Sequence, residues 1–412
     1  MTLFNPRRAL RRALGPAIER GLDALGRAAA TPRAARALPG GYLGEIRAVL
    51  AGRVMHQANR DGKEATHYHL RRAIHRLEKG LSMPGRRAVF GLDYIEETAA
   101  AYAAAARGGV DAEELRWAHD VMAAYFDAVG EDPAIARAEA AFRAAPPPPA
   151  GPAPALHPWP GDGPRLPFPR PAPGAPPVGP GALAALARRR RSVRWFRPDP
   201  PPRAQIDAAL DIARLSPSAC NRQPLQFRVF DSPARAQRIA ALAGGAGGFT
   251  EGMPCIVALV GRMRAYPHAR DRRLIYVDGG LAAMSFMYAL ETVGLASCPI
   301  NWPDVPKQER RMRAEIGLAP DERVVMLIAV GLPLEGGMIP SSAKVSMDLW
   351  RSYDGPDPAA AGGADGAAGA GTGSGSAPAS GPAPASGSAP ASAPDPASGP
   401  DAAPAPGGPA RA

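Results

Sequence analysis

The sequence predicts an α+β layered domain preceded by a small helical domain, and three observations support this. Residues 181–353 alternate short strand-like runs, "LQFRVFD", "PCIVALVG" and "DERVVMLIAVGLP", with helical runs such as "AQIDAALDIARL". Residues 41–143 show the helical period throughout. Two stretches of low complexity bound the foldable parts: a Pro-rich linker at 144–180 and an Ala/Pro/Gly/Ser tail at 354–412.

Residues 1–40 form a basic amphipathic segment, with eight arginines against Glu19 and Asp23. Leu10, Leu14, Ile18, Leu22 and Leu25 would line one helical face, kinked at Gly15-Pro16. Such a face suits an anionic membrane surface, or equally the protein's own body or a partner. An Arg-rich organelle transit peptide has the same composition.

In 41–143, "HYHLRRAIHRLEKGLSM" puts Leu70, Ile74, Leu77 and Leu81 on one stripe. "LDYIEETAAAYAAAA" and "AEELRWAHDVMAAYFDAV" follow as amphipathic helices. His67, His69 and His75 are close in sequence, but no carboxylate or cysteine obviously completes a metal site, so none is assigned. The linker holds 16 prolines within residues 146–180, which favours extended polyproline II. The tail has no aromatic residue and no Leu, Ile, Val or Met, so it has nothing to bury and should be disordered.

The net charge of +11 comes almost wholly from arginine, since only Lys63, Lys79, Lys307 and Lys344 are lysines. No nucleic-acid-binding motif accompanies it, so it reads as a dispersed basic surface. Cys220, Cys255 and Cys298 are odd in number and lack metal spacing, which suits a reducing compartment. The apolar runs fall short of a membrane span, and no secretion signal opens the chain. A cytoplasmic protein is expected, with peripheral contact at the inner membrane surface through residues 1–40.

Two stretches look built for a ligand. "RRRRSVR", 188–194, interrupts an apolar pattern and runs straight into Trp195 and Phe196, as a pinned loop would. Arginine forks suit a phosphate dianion, and a serine hydroxyl adds a donor. Because the stretch follows a helix C-terminus, side-chain charge must outweigh an unfavourable dipole. "LSPSACNRQPLQF", 215–227, is too rich in hydrogen-bonding side chains for a plain connection. Ser218, Asn221 and Gln223 suit the edge of a planar heterocycle bearing N–H and C=O groups. Together they imply a phosphorylated, planar ligand, which flavin mononucleotide (FMN) satisfies.

These residues resemble the nitroreductase family of FMN-dependent oxidoreductases. "RRSVRWF" and "ARLSPSACNRQPLQF" resemble its flavin-binding motifs. "YVDGGLAAMSFMYALETVGLASCPINW" is similar to its central dimer helix and the segment passing the flavin, and "VVMLIAVGLP" to its late core strand. The likeness runs over about 186–350. "LRRAIHRLEKGLSMPGRRAVFG" and "INWPD" further resemble a subgroup often encoded with polysaccharide biosynthesis genes.

The resemblance implies a three-layer fold with helices around a central, mostly antiparallel sheet. It also implies an FMN-containing homodimer with flavin at the subunit interface. By the same resemblance, Arg190, Arg191, Ser192 and Arg194 would hold the phosphate and ribityl chain. Pro217, Ser218, Asn221 and Gln223 would approach the flavin, and Pro299, Ile300 and Asn301 would pass the ring. Pro299 has no N–H, so Ile300 is the donor expected there. Lys344 matches a late basic residue that meets the phosphate. Leu225 and Ser285 depart from the Trp and Asn common in the family, so no substrate carries over.

The implied activity is hydride transfer from NAD(P)H to an electron-poor small molecule, with no side chain assigned as catalytic. An FMN-dependent oxidase or dehydrogenase, a flavin-consuming enzyme, and a non-catalytic accessory protein of envelope polysaccharide assembly are the rival readings.

Overall fold

The computed structural model describes residues 40–149, 163–170, 174, 176–244, 246–353 and 355. The expectations for residues 1–39 and for the tail beyond 355 lie outside them. Two compact units divide the chain, Met1–Ser342 and Ala343–Ala412. In the second, the described residues include one short helix, Met347–Trp350.

In the first unit the helical segment comprises α1 (Gly40–Ala58), α2 (Tyr68–Leu81), α3 (Ile95–Arg107), α4 (Ala112–Ala128) and α5 (Pro133–Arg143). Local chemistry sets where three of them begin. The Asp111 carboxylate accepts from the Glu113 and Glu114 N–H groups, and Asp132 accepts from Ala134 N–H ahead of Pro133. His67 Nδ1 accepts from Leu70 N–H, so one of the sequence's histidines is a helix cap. Leu70, Ile74 and Leu77 then pack with Tyr102, Met122 and Tyr125 in a closed core.

The layered segment comprises α6 (Pro180–Arg189), α7 (Arg203–Ala213), β1 (Leu225–Phe230), α8 (Pro233–Ala240), β2 (Cys255–Arg262), α9 (Leu274–Thr292), β3 (Ala296–Asn301), α10 (Pro306–Ile316) and β4 (Glu322–Gly331). The strands form one antiparallel sheet in the order β1-β2-β4-β3. Along β2, Ile256, Ala258 and Val260 pack on one side with α8 and α10 residues Ile239 and Met312. Cys255, Val257 and Leu259 pack on the other with α7 and α9 residues Ile206 and Phe286. This period of two, apolar at every position, marks a strand covered on both faces. The result is the three-layer α+β arrangement expected.

The helical segment and the layered segment share one unit, so the expected boundaries at 143 and 181 fall inside it, and the boundary at 353 falls inside the second unit. Ala48 and Tyr68 pack with Met263, Ala265, Tyr266 and Ile275 across the seam. Arg264 binds Asp321 through Nε (2.9 Å) and the adjoining guanidinium nitrogen (2.7 Å), while its other arm reaches Glu64 at 2.8 Å. Part of the Pro-rich stretch is also tied down. Arg165 donates to Glu113 through Nε (2.8 Å) and to Asp120 through its backbone N–H (2.8 Å). An extended backbone leaves both its polar groups and its side chains free to find such partners.

His56 is buried at the same seam, where Nδ1 meets the Arg264 carbonyl at 2.8 Å. Burial pushes its pKa down from 6.5 to about 4, with Arg222, Arg60 and His67 acting in the same direction. His69, facing Glu97 at 3.5 Å, is likewise pushed down by burial to about 4. The unfolded chain therefore takes up protons before the folded one does. Stability present above pH 6.5 should fall as pH drops toward 4, on the order of 2–3 kcal/mol for His56 alone. A melting profile against pH should be flatter for His56→Gln. An unchanged slope between those limits would show that His56 is not responsible.

Candidate functional site

The arginine stretch leaves the end of α6 and runs alongside β3. Val193 N–H donates to the Ser297 carbonyl at 3.0 Å, and Ser192 pairs with Ser297 as a parallel bridge. Each arginine there has a different environment. Arg189 pairs with Glu291 at 3.2 Å, and burial pushes the Glu291 carboxyl up against the pull of that arginine. Arg191 donates to the carbonyls of Pro340 (2.7 Å) and Ser341. Arg190 Nε and Ser297 Oγ are buried without a hydrogen-bond partner among the described residues. Arg194 is exposed, makes among the described residues only a 3.4 Å contact to the Ser192 carbonyl, and lies 5.6 Å over the Phe249 ring.

Burial also pushes the Cys298 thiol up, against the opposing influence of Arg194, Ser192 and Arg190. All three lie around this one buried sulfur. A thiol held protonated there behaves as a small apolar filler rather than a nucleophile. The guanidinium donors left unspent on Arg190 and Arg194 are the chemistry that a phosphate group uses, while the Ser297 hydroxyl alternates to the other face of β3.

The loop 215–224 is held by other partners. Cys220, Asn221 and Gln223 all have φ between 50° and 55°, a region non-glycine residues rarely adopt. Several contacts hold this strained path. Gln223 N–H donates to Ser218 Oγ at 2.9 Å, and Gln223 Nε2 donates to Asn221 Oδ1 at 2.8 Å. Arg71 of α2 donates through Nε to the Asn221 carbonyl at 3.0 Å, and Glu114 holds the Arg71 guanidinium at 2.9 Å. Asp278 of α9 accepts from Ala219 N–H at 3.2 Å and from the Tyr266 hydroxyl. Arg222 is buried over the Tyr266 ring, 4.8 Å from its centroid, and burial pushes its pKa down. Asn221 Nδ2 and Gln223 Oε1 remain unpaired among the described residues, one donor and one acceptor.

The structure thus joins Arg190, Ser192 and Arg194 to the β3 residues beside Pro299 and Ile300, and it gathers Ser218, Asn221 and Gln223 in one loop with the exposed Pro217. Asn301 is exposed at the end of β3. Lys344 belongs to the second unit, where it is exposed. Ser285 accepts from Ser216 Oγ at 2.9 Å, so the serine that departs from the family pattern fastens the loop's entry to α9. Sequence reasoning missed Arg71, Tyr266 and Asp278. Only Asp278 left a signal, as an acid inside the apolar run "YVDGGLAAM".

The Nitroreductase family model matches residues 187–246 and 235–332, which span the sheet and the helices on both its faces. The layered segment therefore has a nitroreductase-like fold. An NADH dehydrogenase of Thermus thermophilus is 27% identical over 191 residues, covering 39% of this chain and 90% of that protein. Among solved structures, an FMN-dependent nitroreductase from Clostridium difficile has 18% identity and a TM-score of 0.36, covering 42% of this chain and 98% of its own. A nitroreductase family protein from Streptococcus pneumoniae has 19% identity and the same TM-score of 0.36, covering 42% and 99%.

The loop's strain can be tested at Cys220. Cys220→Gly should keep or raise stability, by up to about 1 kcal/mol, because glycine adopts positive φ freely. Cys220→Val should lose about 1–3 kcal/mol, since a β-branched residue fits that conformation worst. Denaturant unfolding of both variants separates the two effects, and a tolerated valine would show that the loop is relaxed.

Proposed function

We propose that the chain is an FMN-dependent oxidoreductase moving hydride from NAD(P)H to an electron-poor small molecule. The observation carrying this reading is the pair of arginines with unspent donors, Arg190 and Arg194, beside Cys298 of β3. Bound FMN would supply the redox chemistry, accepting two electrons as hydride and passing them to the second substrate.

The chain's own residues bind and orient. Arg190, Ser192 and Arg194 take the phosphate, and Arg191 fixes this stretch by holding the carbonyls of Pro340 and Ser341. Asn221 Nδ2 and Gln223 Oε1 meet the polar edge of the ring, in a loop kept in shape by Ser218 and Pro217. Pro299, Ile300 and Asn301 pass the ring; Ile300 pairs with Leu327 on the β4 side, so the expected Ile300 donor is spent in the ladder and the next outward backbone N–H is that of Asn301. No side-chain acid or base is required in this scheme. A link to polysaccharide biosynthesis belongs to the proposal through the likeness of 70–91 and 300–304 alone, and a cytoplasmic setting through the three cysteines that suit a reducing compartment.

The proposal includes a homodimer. Along α9, Val277 (55% exposed) and Leu281 (46%) continue through the half-buried Met284 and Tyr288 as one stripe at helical spacing. Covering each fully exposed side chain of this size contributes about 1.5–3 kcal/mol. Met287, which looks in sequence like part of the same face, is buried in the chain's own core beside Phe286 and Leu290. Helical phase places it one step round from the stripe.

Protein purified with its cofactor should release FMN on heating, identified by chromatography. FAD, or no flavin after reconstitution, would end this reading. Arg194→Ala should weaken FMN binding by about 1.5–3 kcal/mol, roughly ten- to hundred-fold, while the fold survives. Flavin titration of that variant reads the loss, and an unchanged affinity would make the arginine a solvated surface group. Leu281→Arg should give monomers that also lose FMN, seen as later elution with reduced flavin absorbance. A monomer with full flavin occupancy would separate the site from the seam.

A further inference from the structure

Residues 76–94 include none of the side chains assigned to the flavin or to the loop that meets it, yet they line a cleft of about 590 Å³. The walls carry Arg76, Lys79, Arg86 and Arg87 against one carboxylate, Asp93. The apolar side is Val89, Phe90 and Tyr94, with Met83 (61% exposed) and Leu92 (42%) at the surface. We propose that this cleft is a second ligand site, for an organic diphosphate whose remainder is apolar or planar.

The geometry is preset. Pro84-Gly85 turns the chain after α2, with Gly85 at φ +61°, and Gly91 at φ +80° turns it again. At Gly80 an added Cβ would lie 2.1 Å from Phe90 Cε2, so only glycine lets the aromatic wall lie against the helix. The Arg76 guanidinium sits 3.5 Å over the Tyr94 ring, which holds both groups and leaves the guanidinium edge free to donate. Arg86 is anchored to the Ala128 carbonyl at 2.9 Å. Among the described residues, the exposed side chains of Lys79 and Arg87 have no ion pair or hydrogen bond.

Charge and size then select the ligand. Four cations facing one carboxylate call for more than one negative charge. The cleft lies at the end of α2, where the helix dipole repels anions, so the side chains must supply the attraction. Part of that end is already capped, by Ser82 N–H on the Glu78 carbonyl and Ser82 Oγ on the Lys79 carbonyl. A volume of about 590 Å³ lies within the range of roughly 300–1,000 Å³ usual for small-molecule sites. Orthophosphate would leave most of it to water. Exposed Met83 and Leu92 beside the cations match a ligand that is anionic at one end and apolar at the other.

Full-length protein should bind ADP and geranyl diphosphate in calorimetric titrations, pyrophosphate more weakly, and adenosine not measurably. Lys79→Gln and Arg87→Gln should each raise the Kd by about tenfold or more. Both lie on the surface, so melting temperature and flavin content should be unchanged. Arg194→Ala should leave diphosphate binding intact, which separates this cleft from the phosphate donors beside β3. Failure of both diphosphates to bind would overturn the proposal, as would binding that ignores Lys79→Gln and Arg87→Gln.

Discussion

The buried pair of Arg264 and Asp321 organises the first unit. Asp321 is wholly buried, and both its oxygens are taken by the Arg264 guanidinium. Its Oδ2 also accepts the Arg264 backbone N–H at 3.0 Å, and its carbonyl accepts Met263 N–H at 3.1 Å. The turn after β2 is thereby locked to the residue before β4, at the end of the longest ladder in the sheet. Such a pair contributes little net stability over apolar groups of the same size, but its geometry admits one arrangement. The same arginine reaches Glu64, and its carbonyl meets His56, so the helical segment docks on the feature that sets the strand register. Two residues further on, Tyr266 bonds to Asp278, which holds Ala219 at the start of the strained loop. A few contacts thus connect sheet register, helical docking and loop conformation.

Much of the layered fold was legible because it follows periodicity. β1 and β4 lie within "LQFRVFD" and "DERVVMLIAVGLP", and β2 runs one residue past "PCIVALVG" to Arg262; the apolar and β-branched residues of these runs leave little alternative. β3 was not legible as a strand. "ASCPIN" contains a proline and small side chains, and it is extended because β4 pairs with it. The contacts supporting the loop were illegible for another reason: Arg71 and Asn221 are 150 residues apart, and a helix periodicity says nothing of which distant carbonyl its arginine will find. The histidines show the limit most clearly. Of the three histidines clustered in sequence, to which no metal was assigned, His67 caps a helix and His69 lies 3.5 Å from Glu97, while the buried His56 carried no sequence signal.

The arginine stretch shows how one repeated residue can serve several ends. From 189 to 191 the backbone passes from helix to extended, so successive side chains project in different directions. Arg189 neutralises a buried carboxylate and Arg191 satisfies two carbonyls, while Arg190 keeps an unpaired nitrogen in a buried place. An unpaired buried N–H costs about 1–3 kcal/mol, which an anion arriving there would recover. The positive φ angles at 220–223 are a second place where the fold holds free energy, offset there by the contacts of Ser218, Arg71 and Asp278.

Strand β3 forms an outer margin of the sheet, and a margin of this kind is where foreign chains add on. Here the outward position at Ser297 is taken by Val193, and two residues along, where the same side of the strand would next offer an N–H, stands Pro299. No continuous ladder remains for a stray strand to extend. The sheet cannot polymerise from this side, whether the intruder is a second copy or a partly folded neighbour at the ribosome. The proline that withholds an N–H from any ligand passing β3 therefore also guards the protein against aggregation.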